Sequence, residues 1–492
     1  MAEVFVLNPP VVKDFCRSAR WAARSRGRVQ RHPDWLLTAV AVLEQAGFKV
    51  AFLDGAAMNL GRQQVSSALQ TNRPGLVVLH TTTPSIDSDL TYGALAKELL
   101  PDCKTVAVGP HVTAEPEDTL NRAKGYLDVV VRGEYDYTLR ELTELAGSGW
   151  SRSKLAGILG ISYVDDEGQP VHTPARPYLD VNELPFPAWH HIDPRWYRDA
   201  GKRFPFITLI SGRGCFGRCT FCRDVPLMEG RKLRMRDPEL VVDEIEYCLS
   251  LFPYLKEVMF ETDTFTASPT HVSGICETFL RRKLRITWSC NCRTDVDLSL
   301  LPLMKRAGCR MLMVGFEFGT QEALDAVKKG TTLEHSVRLA NEARRLGFTV
   351  HGCFMFGAPG ETRESALETI AFAKSLPMDT VQFSGICAYP GSEIYQEATT
   401  KGFLIPNRWR GWVDENWEQA TVLSLPELSK EEIDGLIDQG LKEFYLRPQQ
   451  ILQMARAIRT VDDLRRKLYG FKMFIDGSSV RPNVRCQPKD FA

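Results

Sequence analysis

Phe206-Ile207-Thr208-Leu209-Ile210 runs without a break into Ser211-Gly212-Arg213-Gly214-Cys215-Phe216-Gly217-Arg218-Cys219-Thr220-Phe221-Cys222. An apolar, partly β-branched run of this kind reads as a buried strand, and the glycines after it allow a tight loop. That loop presents three cysteines spaced C-x3-C-x2-C. Soft thiolates at this spacing can reach three irons of a cubane cluster. A fourth local ligand is missing, which leaves one iron open to a substrate or cofactor. A zinc ribbon would bring two C-x2-C pairs, whereas Cys290 and Cys292 are only two apart on a predicted strand end.

The same strand opens a regular series. Strands are predicted at Phe206–Ile210, Glu257–Phe260, Arg285–Ser289, Met311–Phe316, Thr349–Phe356 and Thr380–Ser384, each followed by a helical run. Asp237-Pro238 supplies an N-cap with proline at the first helical position for Glu239–Leu251. Six β/α units predict a partial barrel over residues 204–400, with functional loops at the strands' C-terminal ends. Residues 1–145 give a second, separate alternation. Strands at Val4–Leu7, Val50–Leu53, Leu76–Leu79, Val106–Val108 and Val129–Val131 alternate with helices, among them Asp34–Ala46, Ser88–Leu100 and Tyr137–Leu145. The expected fold class is α/β: an open parallel Rossmann-like sheet, a (β/α)6 partial barrel, and a mostly helical region over 401–492. Residues 146–203 read as a linker carrying a small hairpin. In the open sheet a ligand crevice lies beyond the strand ends, at Asn8-Pro9-Pro10, His80-Thr81-Thr82-Thr83 and Gly109-Pro110-His111.

The 492 residues carry 61 basic and 61 acidic side chains, so no global charge excess points to nucleic acid. Thirteen cysteines, with no leader-like start and no apolar run near the ~20 residues of a membrane span, favour reduced thiols and a cytoplasmic location. One sharp local excess lies between Cys16 and His32: Arg17, Arg20, Arg24, Arg26, Arg28 and Arg31 with Trp21 and no acid. It is a candidate cradle for an anionic group of substrate or cofactor. Ile451–Leu468 has the pattern of a basic amphipathic helix, for which packing on its own domain is the default and peripheral membrane contact the alternative.

Cys215, Cys219 and Cys222, with Phe221 before the last, resemble the signature of the radical S-adenosylmethionine (SAM) superfamily. The resemblance implies a [4Fe–4S] cluster whose open iron chelates SAM, and reductive SAM cleavage to a 5′-deoxyadenosyl radical. It further implies SAM-facing roles for Glu261 or Asp263 after the second barrel strand, Arg293 after the third, and Glu317 in Gly315-Phe316-Glu317-Phe318-Gly319. Gly357, Gly360 and Glu361 in Gly357-Ala358-Pro359-Gly360-Glu361-Thr362 are similar to the family's SAM-adjacent turn, and Tyr389-Pro390-Gly391-Ser392 to another. The first 145 residues are similar to the cobalamin-binding domain of many such enzymes, which implies cofactor contacts at Asn8, Thr82, Gly109 and His111. The Asp-x-His-x-x-Gly string that supplies an axial histidine is absent; Asp54-Gly55-Ala56-Ala57-Met58-Asn59 has the aspartate alone.

Val77–Pro84, Phe260–Thr266, Trp288–Asn291 and Lys329-Gly330 look most like the hopanoid-associated radical SAM family, with the anaerobic magnesium-protoporphyrin ester cyclase group next. The implied activity is rearrangement, cyclisation or other modification of an unactivated carbon in a small-molecule, lipid or tetrapyrrole-like substrate. Methyl transfer through methylcobalamin is the rival chemistry, and an electron donor such as flavodoxin or ferredoxin is the implied partner. A tRNA methylthiotransferase would need three further N-terminal cysteines, and only Cys16 and Cys103 precede the linker. A non-catalytic cobalamin or Fe–S sensor would have no need of the SAM-facing turns.

Overall fold

The computed structural model describes residues 3–18, 22–458, 460, 463–468 and 470. Its first sheet contains β1 (Val4–Asn8), β2 (Val50–Asp54), β3 (Leu76–His80), β4 (Lys104–Val108) and β5 (Val129–Val131), all parallel, then the hairpin β6 (Ile161–Val164) and β7 (Pro170–His172). The order is β2-β1-β3-β4-β5-β6-β7, with β6 antiparallel to β5. The hairpin read from sequence as part of the linker therefore continues the first sheet. Strands β1, β3 and β5 are buried throughout, as strands covered by helices on both faces must be. The helix Asp34–Gln45 lies on this sheet through Leu36, Val40 and Leu43, and its chain turns at Gly47, φ +91°.

The second unit begins with β8 (Phe206–Leu209). A two-stranded ribbon of β9 (Gly212–Arg213) and β10 (Arg234–Met235) follows. The unit continues with β11 (Glu257–Phe260), β12 (Thr287–Arg293), β13 (Cys309–Glu317), β14 (Thr349–Phe356) and β15 (Thr380–Gly385). Six of these form one parallel sheet in the order β15-β14-β13-β12-β11-β8, which is the predicted partial barrel. Its two open edges are both covered. At β8, His32 stacks on Tyr197 at 3.8 Å and meets Trp189 and Phe206 edge-on. At β15, Val381 N–H donates to the Tyr445 hydroxyl (2.9 Å), which donates back to Val381 O (2.8 Å). Tyr445 ends the helix Lys430–Tyr445.

The C-terminal region is helical at Lys430–Tyr445 and Pro448–Arg456, but residues 402–429 form an irregular strap with a short turn at Trp409–Trp412. The amphipathic pattern of Ile451–Leu468 is one helix only to Arg456. That helix docks on the barrel, where Gln450 Nε2 donates to Asp379 O at 2.7 Å; residues 459, 461 and 462 lie outside the described set. Among the described residues no helix is long and apolar enough to cross a membrane.

Four histidines are held in a neutral state, His80, His111 and His271 buried and His351 half-buried. Burial pushes His80 and His111 down to about 3, and His271 and His351 down to about 4. The unfolded chain, with ordinary imidazoles near pKa ~6.5, takes up protons first as pH falls. The stability these groups protect is complete above about pH 6.5 and is lost as pH drops toward their folded values. The thermal midpoint is therefore expected to fall between pH 7 and pH 5. A flat midpoint across that window would show that these rings protonate without cost.

Candidate functional site

The cysteine loop is closed at its base by steric fit. A Cβ on Gly212 would lie 2.5 Å from Met235 Sδ, and one on Gly214 (φ +95°) 2.1 Å from Lys232 O. Only glycine lets β9 and β10 approach this closely, which explains the Gly212-Arg213-Gly214 stretch just before the first cysteine. Within the loop Cys215, Cys219 and Cys222 are each partly exposed. A Cβ on Gly217 would lie 3.3 Å from Cys215 Sγ and 3.8 Å from Cys219 Sγ, so these two thiols converge on one point. Thr220, between the second and third cysteines, is pinned by Val327 O (3.0 Å) and by Ile394 N–H (3.0 Å).

Two cations face this loop, Arg293 at a strand end and Lys329 in the loop after the helix Gln321–Ala326. Arg293, the last residue of β12, lies over the Phe216 ring at 5.1 Å and pairs with Asp295 at 2.8 Å. Its Nη1 would lie 3.4 Å from a Cβ on Gly217. Burial raises the Cys219 thiol, while the charges of Lys329 and Arg293 oppose that rise. Positive charge beside a thiol favours the thiolate that binds metal. Lys329 Nζ in turn pairs with Glu317 Oε1 at 2.6 Å. Glu317 holds φ +67° where the β13–β14 register shifts, and its carboxylate folds back over Gly315. A Cβ on Gly315 would be 2.3 Å from Glu317 Oε1, so the Gly-x-Glu pattern is a steric requirement.

The other predicted residues divide. Glu261 follows β11, and its Oε2 is buried with no hydrogen-bond partner, 3.5 Å from Arg31 Nε. Asp263 is the charged neighbour that adds to burial in pushing the Glu229 carboxyl well up. Glu361 turns into its own loop: Oε2 accepts from Gly357 N (2.5 Å) and Ala358 N (3.0 Å). Burial pushes its carboxyl up to about 7. Glu361 thus fixes the turn in which Gly357 (φ +99°) and Gly360 (φ +76°) adopt left-handed backbone. Phe221 packs with the apolar group of Phe318, Met355 and Tyr389.

At the strand ends of the first sheet, Asn8 Nδ2 donates to Asp54 (2.8 Å) and Asn8 Oδ1 meets His80 Nδ1 (3.2 Å). Thr82 Oγ1 bonds Ser85 Oγ at 2.5 Å. Gly109 (φ +119°) is tight, since a Cβ there would be 2.6 Å from Thr81 O. His111 Nδ1 meets Thr83 Oγ1 at 3.3 Å, its ring packs edge-on against Trp409 at 5.0 Å, and its Nε2 is buried without a partner.

The basic stretch is not a free anion cradle. Arg17 is fully buried against Asp89, Arg26 pairs with Asp438, Arg28 with Glu418, and Arg31 with Asp199 at 2.7 Å. The acids that pair with these four arginines are remote in sequence, so most of the local excess is neutralised on folding; Arg24 Nε is buried without a hydrogen-bond partner, and Arg20 and Trp21 lie outside the described residues. Sequence reasoning also missed Arg213, whose buried guanidinium ties the cysteine loop to Glu134 (3.2 Å) and Asp136 (2.8 Å) beyond β5.

A partial barrel with a three-thiol loop at its mouth, joined to a Rossmann-like sheet, defines a class in which an iron–sulfur barrel works beside a second cofactor domain. Comparison with known proteins agrees. The radical SAM superfamily model matches residues 209–373, and the B12 binding domain model matches residues 27–143. An uncharacterized methyltransferase of Pyrococcus horikoshii is 30% identical over 409 residues, 82% of this chain and 86% of that protein. The anaerobic magnesium-protoporphyrin IX monomethyl ester cyclase of Rubrivivax gelatinosus is 29% identical, over 75% of this chain and 66% of its own length. The fold matches the radical SAM methyltransferase TsrM of Kitasatospora setae, solved with cobalamin and a [4Fe–4S] cluster. There the TM-score is 0.70 and the identity 18%, over 91% and 90% of the two chains. The chain belongs to the radical SAM superfamily, and it is a cobalamin-dependent radical SAM enzyme with a [4Fe–4S] cluster, SAM and cobalamin as cofactors.

Proposed function

We propose that this enzyme transfers a methyl group to a carbon of a small molecule, with Cys215, Cys219 and Cys222 holding the cluster. The observation that carries the cluster assignment is the convergence of two thiols at Gly217 beside Arg293, on a loop built at the barrel mouth. When bound, the cluster supplies one-electron reduction of SAM, and cobalamin supplies methyl-carrier chemistry. The donor set fits the cluster: three soft sulfurs with cations beside them. Arg293 and Lys329 are the cations placed to meet a carboxylate, and Glu261, with an unsatisfied buried oxygen, is an acceptor for an ammonium group. For cobalamin the unpartnered Nε2 of His111 is a buried polar atom at the strand-end face that a ligand would satisfy.

Methyl transfer is favoured by the Pyrococcus relative, a methyltransferase matched over most of both chains. Cyclisation is the second reading, favoured by the ester cyclase relative. An electron donor such as flavodoxin or ferredoxin and a cytoplasmic setting, where thiols stay reduced, go with this reading. Product analysis with the anaerobic enzyme tests it. S-adenosylhomocysteine together with 5′-deoxyadenosine is expected, whereas 5′-deoxyadenosine alone would replace methyl transfer by rearrangement or cyclisation.

A further inference from the structure

We propose that Glu44, His190 and His191 form a divalent transition-metal site of the zinc type, which clasps the first sheet's helix to the barrel. The three donors come from two elements. Glu44 lies in the last turn of the helix Asp34–Gln45, and the histidines are consecutive in the short turn Trp189–His191. Both imidazole Nε2 atoms point at one carboxylate oxygen: His191 Nε2 is 2.7 Å and His190 Nε2 3.3 Å from Glu44 Oε1. The two rings are 4.3 Å apart, and the three donor atoms lie within 4.8 Å of one another.

The trio stands on a fixed frame. Ala188 N–H donates to Leu37 O at 3.0 Å, which ties the turn to the helix that carries Glu44. Trp189 Nε1–H donates to Glu244 Oε1 at 3.0 Å, which ties the same turn to the barrel helix Pro238–Leu251. The Phe52 ring packs edge-on against His191 at 6.0 Å. Two imidazoles and one carboxylate make an N2O donor set, the kind that takes zinc, cobalt or nickel in preference to calcium or magnesium. Zinc–ligand bonds of ~2.0–2.1 Å set tetrahedral donors about 3.3 Å apart, close to the spacing already present. The histidines are partly exposed, so an ion can enter and water can complete its shell. A metal here would bind the helix Asp34–Gln45 to the turn Trp189–His191, adding to the Ala188–Leu37 hydrogen bond and the Phe52–His191 contact. None of the three residues belongs to the cysteine loop, and the inference stands apart from the reaction proposed above.

The test uses the full chain with its cluster reconstituted, so that the loop thiols are occupied, and zinc alone as the probe. Equilibrium dialysis with zinc and iron analysis is expected to give one zinc per chain beyond the iron, with a higher thermal midpoint. The H190A/H191A variant is expected to lose that zinc. Glu44→Gln keeps an oxygen that both imidazoles can donate to, yet supplies a poor metal ligand. It should weaken zinc binding by at least about tenfold, the low end of what loss of even an outer-shell partner costs, while the metal-free midpoint stays put. Zinc uptake at background in the parent chain, or equal uptake in all three proteins, would overturn the site and leave a hydrogen-bonded cluster. Neither result depends on SAM cleavage or product identity.

Discussion

Replacing Cys219 with alanine removes the cluster, and SAM cleavage with it. Cys219 is the middle donor: its Sγ shares the space around Gly217 with Cys215 Sγ, and the charges of Lys329 and Arg293 act on it. Two remaining thiolates leave a second iron of a cubane without a protein ligand. Fold is not at stake, because the side chain is only partly buried and its loop is held by backbone bonds from Thr220 to Val327 and Ile394. The expected result is iron falling from about four per chain to background, with no 5′-deoxyadenosine formed and the thermal midpoint of the cluster-free protein unchanged. Cys103→Ala is the matched control. That thiol is buried in the first domain against Ala96 O at 3.6 Å, so iron should persist there. Retention of full iron by the Cys219 variant would remove this loop from the cluster assignment.

Much of what was legible in the sequence was what apolar patterning dictates. β5, β11 and β14 begin and end where the sequence places them: β5 is an uninterrupted apolar run, and β11 and β14 close on the apolar stretches Val258–Phe260 and Phe354–Phe356 just before a turn. β12 was placed two residues early and closed at Ser289, since Asn291, Cys292 and Arg293 look like loop. The structure buries them inside the barrel mouth, where polar residues serve the site rather than the core. The irregular strap over 402–429 was hidden for another reason. Its anchor is tertiary: Trp409 Nε1–H donates to Asp118 at 2.6 Å, and its ring covers His111. The basic stretch misled in the same way, because Asp89, Asp199, Glu418 and Asp438 reach it only through the fold. Motif spacing located the thiols, but the pairings around them, Lys329 with Glu317 and Arg213 with Asp136, depend on which strand ends become neighbours.

Arg213→Met is expected to cost about 3–5 kcal/mol, the range for breaking a buried ion pair from one side. Arg213 belongs to β9, immediately before the cysteine loop, and is 3% exposed. Its guanidinium bonds Asp136 through Nη1 (2.8 Å) and Nη2 (3.2 Å), bonds Glu134 at 3.2 Å, and stacks on Trp35 at 3.8 Å. Arg234, across the ribbon, also holds Glu134 at 2.7 Å. Two cations thus balance two acids in a buried interface between the first sheet and the loop. With methionine in place, Glu134 keeps Arg234, but Asp136 keeps neither bond to Arg213 while its side chain stays fully buried. The penalty therefore falls on Asp136, and Asp136→Asn in the Arg213→Met background should recover part of the loss. Arg213→Lys should recover less than half, because a single ammonium cannot reproduce the two-pronged contact. Denaturant midpoints of the four proteins decide the matter, and iron content should follow the same order because β9 fixes the base of the loop. Wild-type stability in Arg213→Met would mean that the interface is held by apolar contacts such as Met228 in the first domain's core, with the ion network contributing specificity of docking and no net stability.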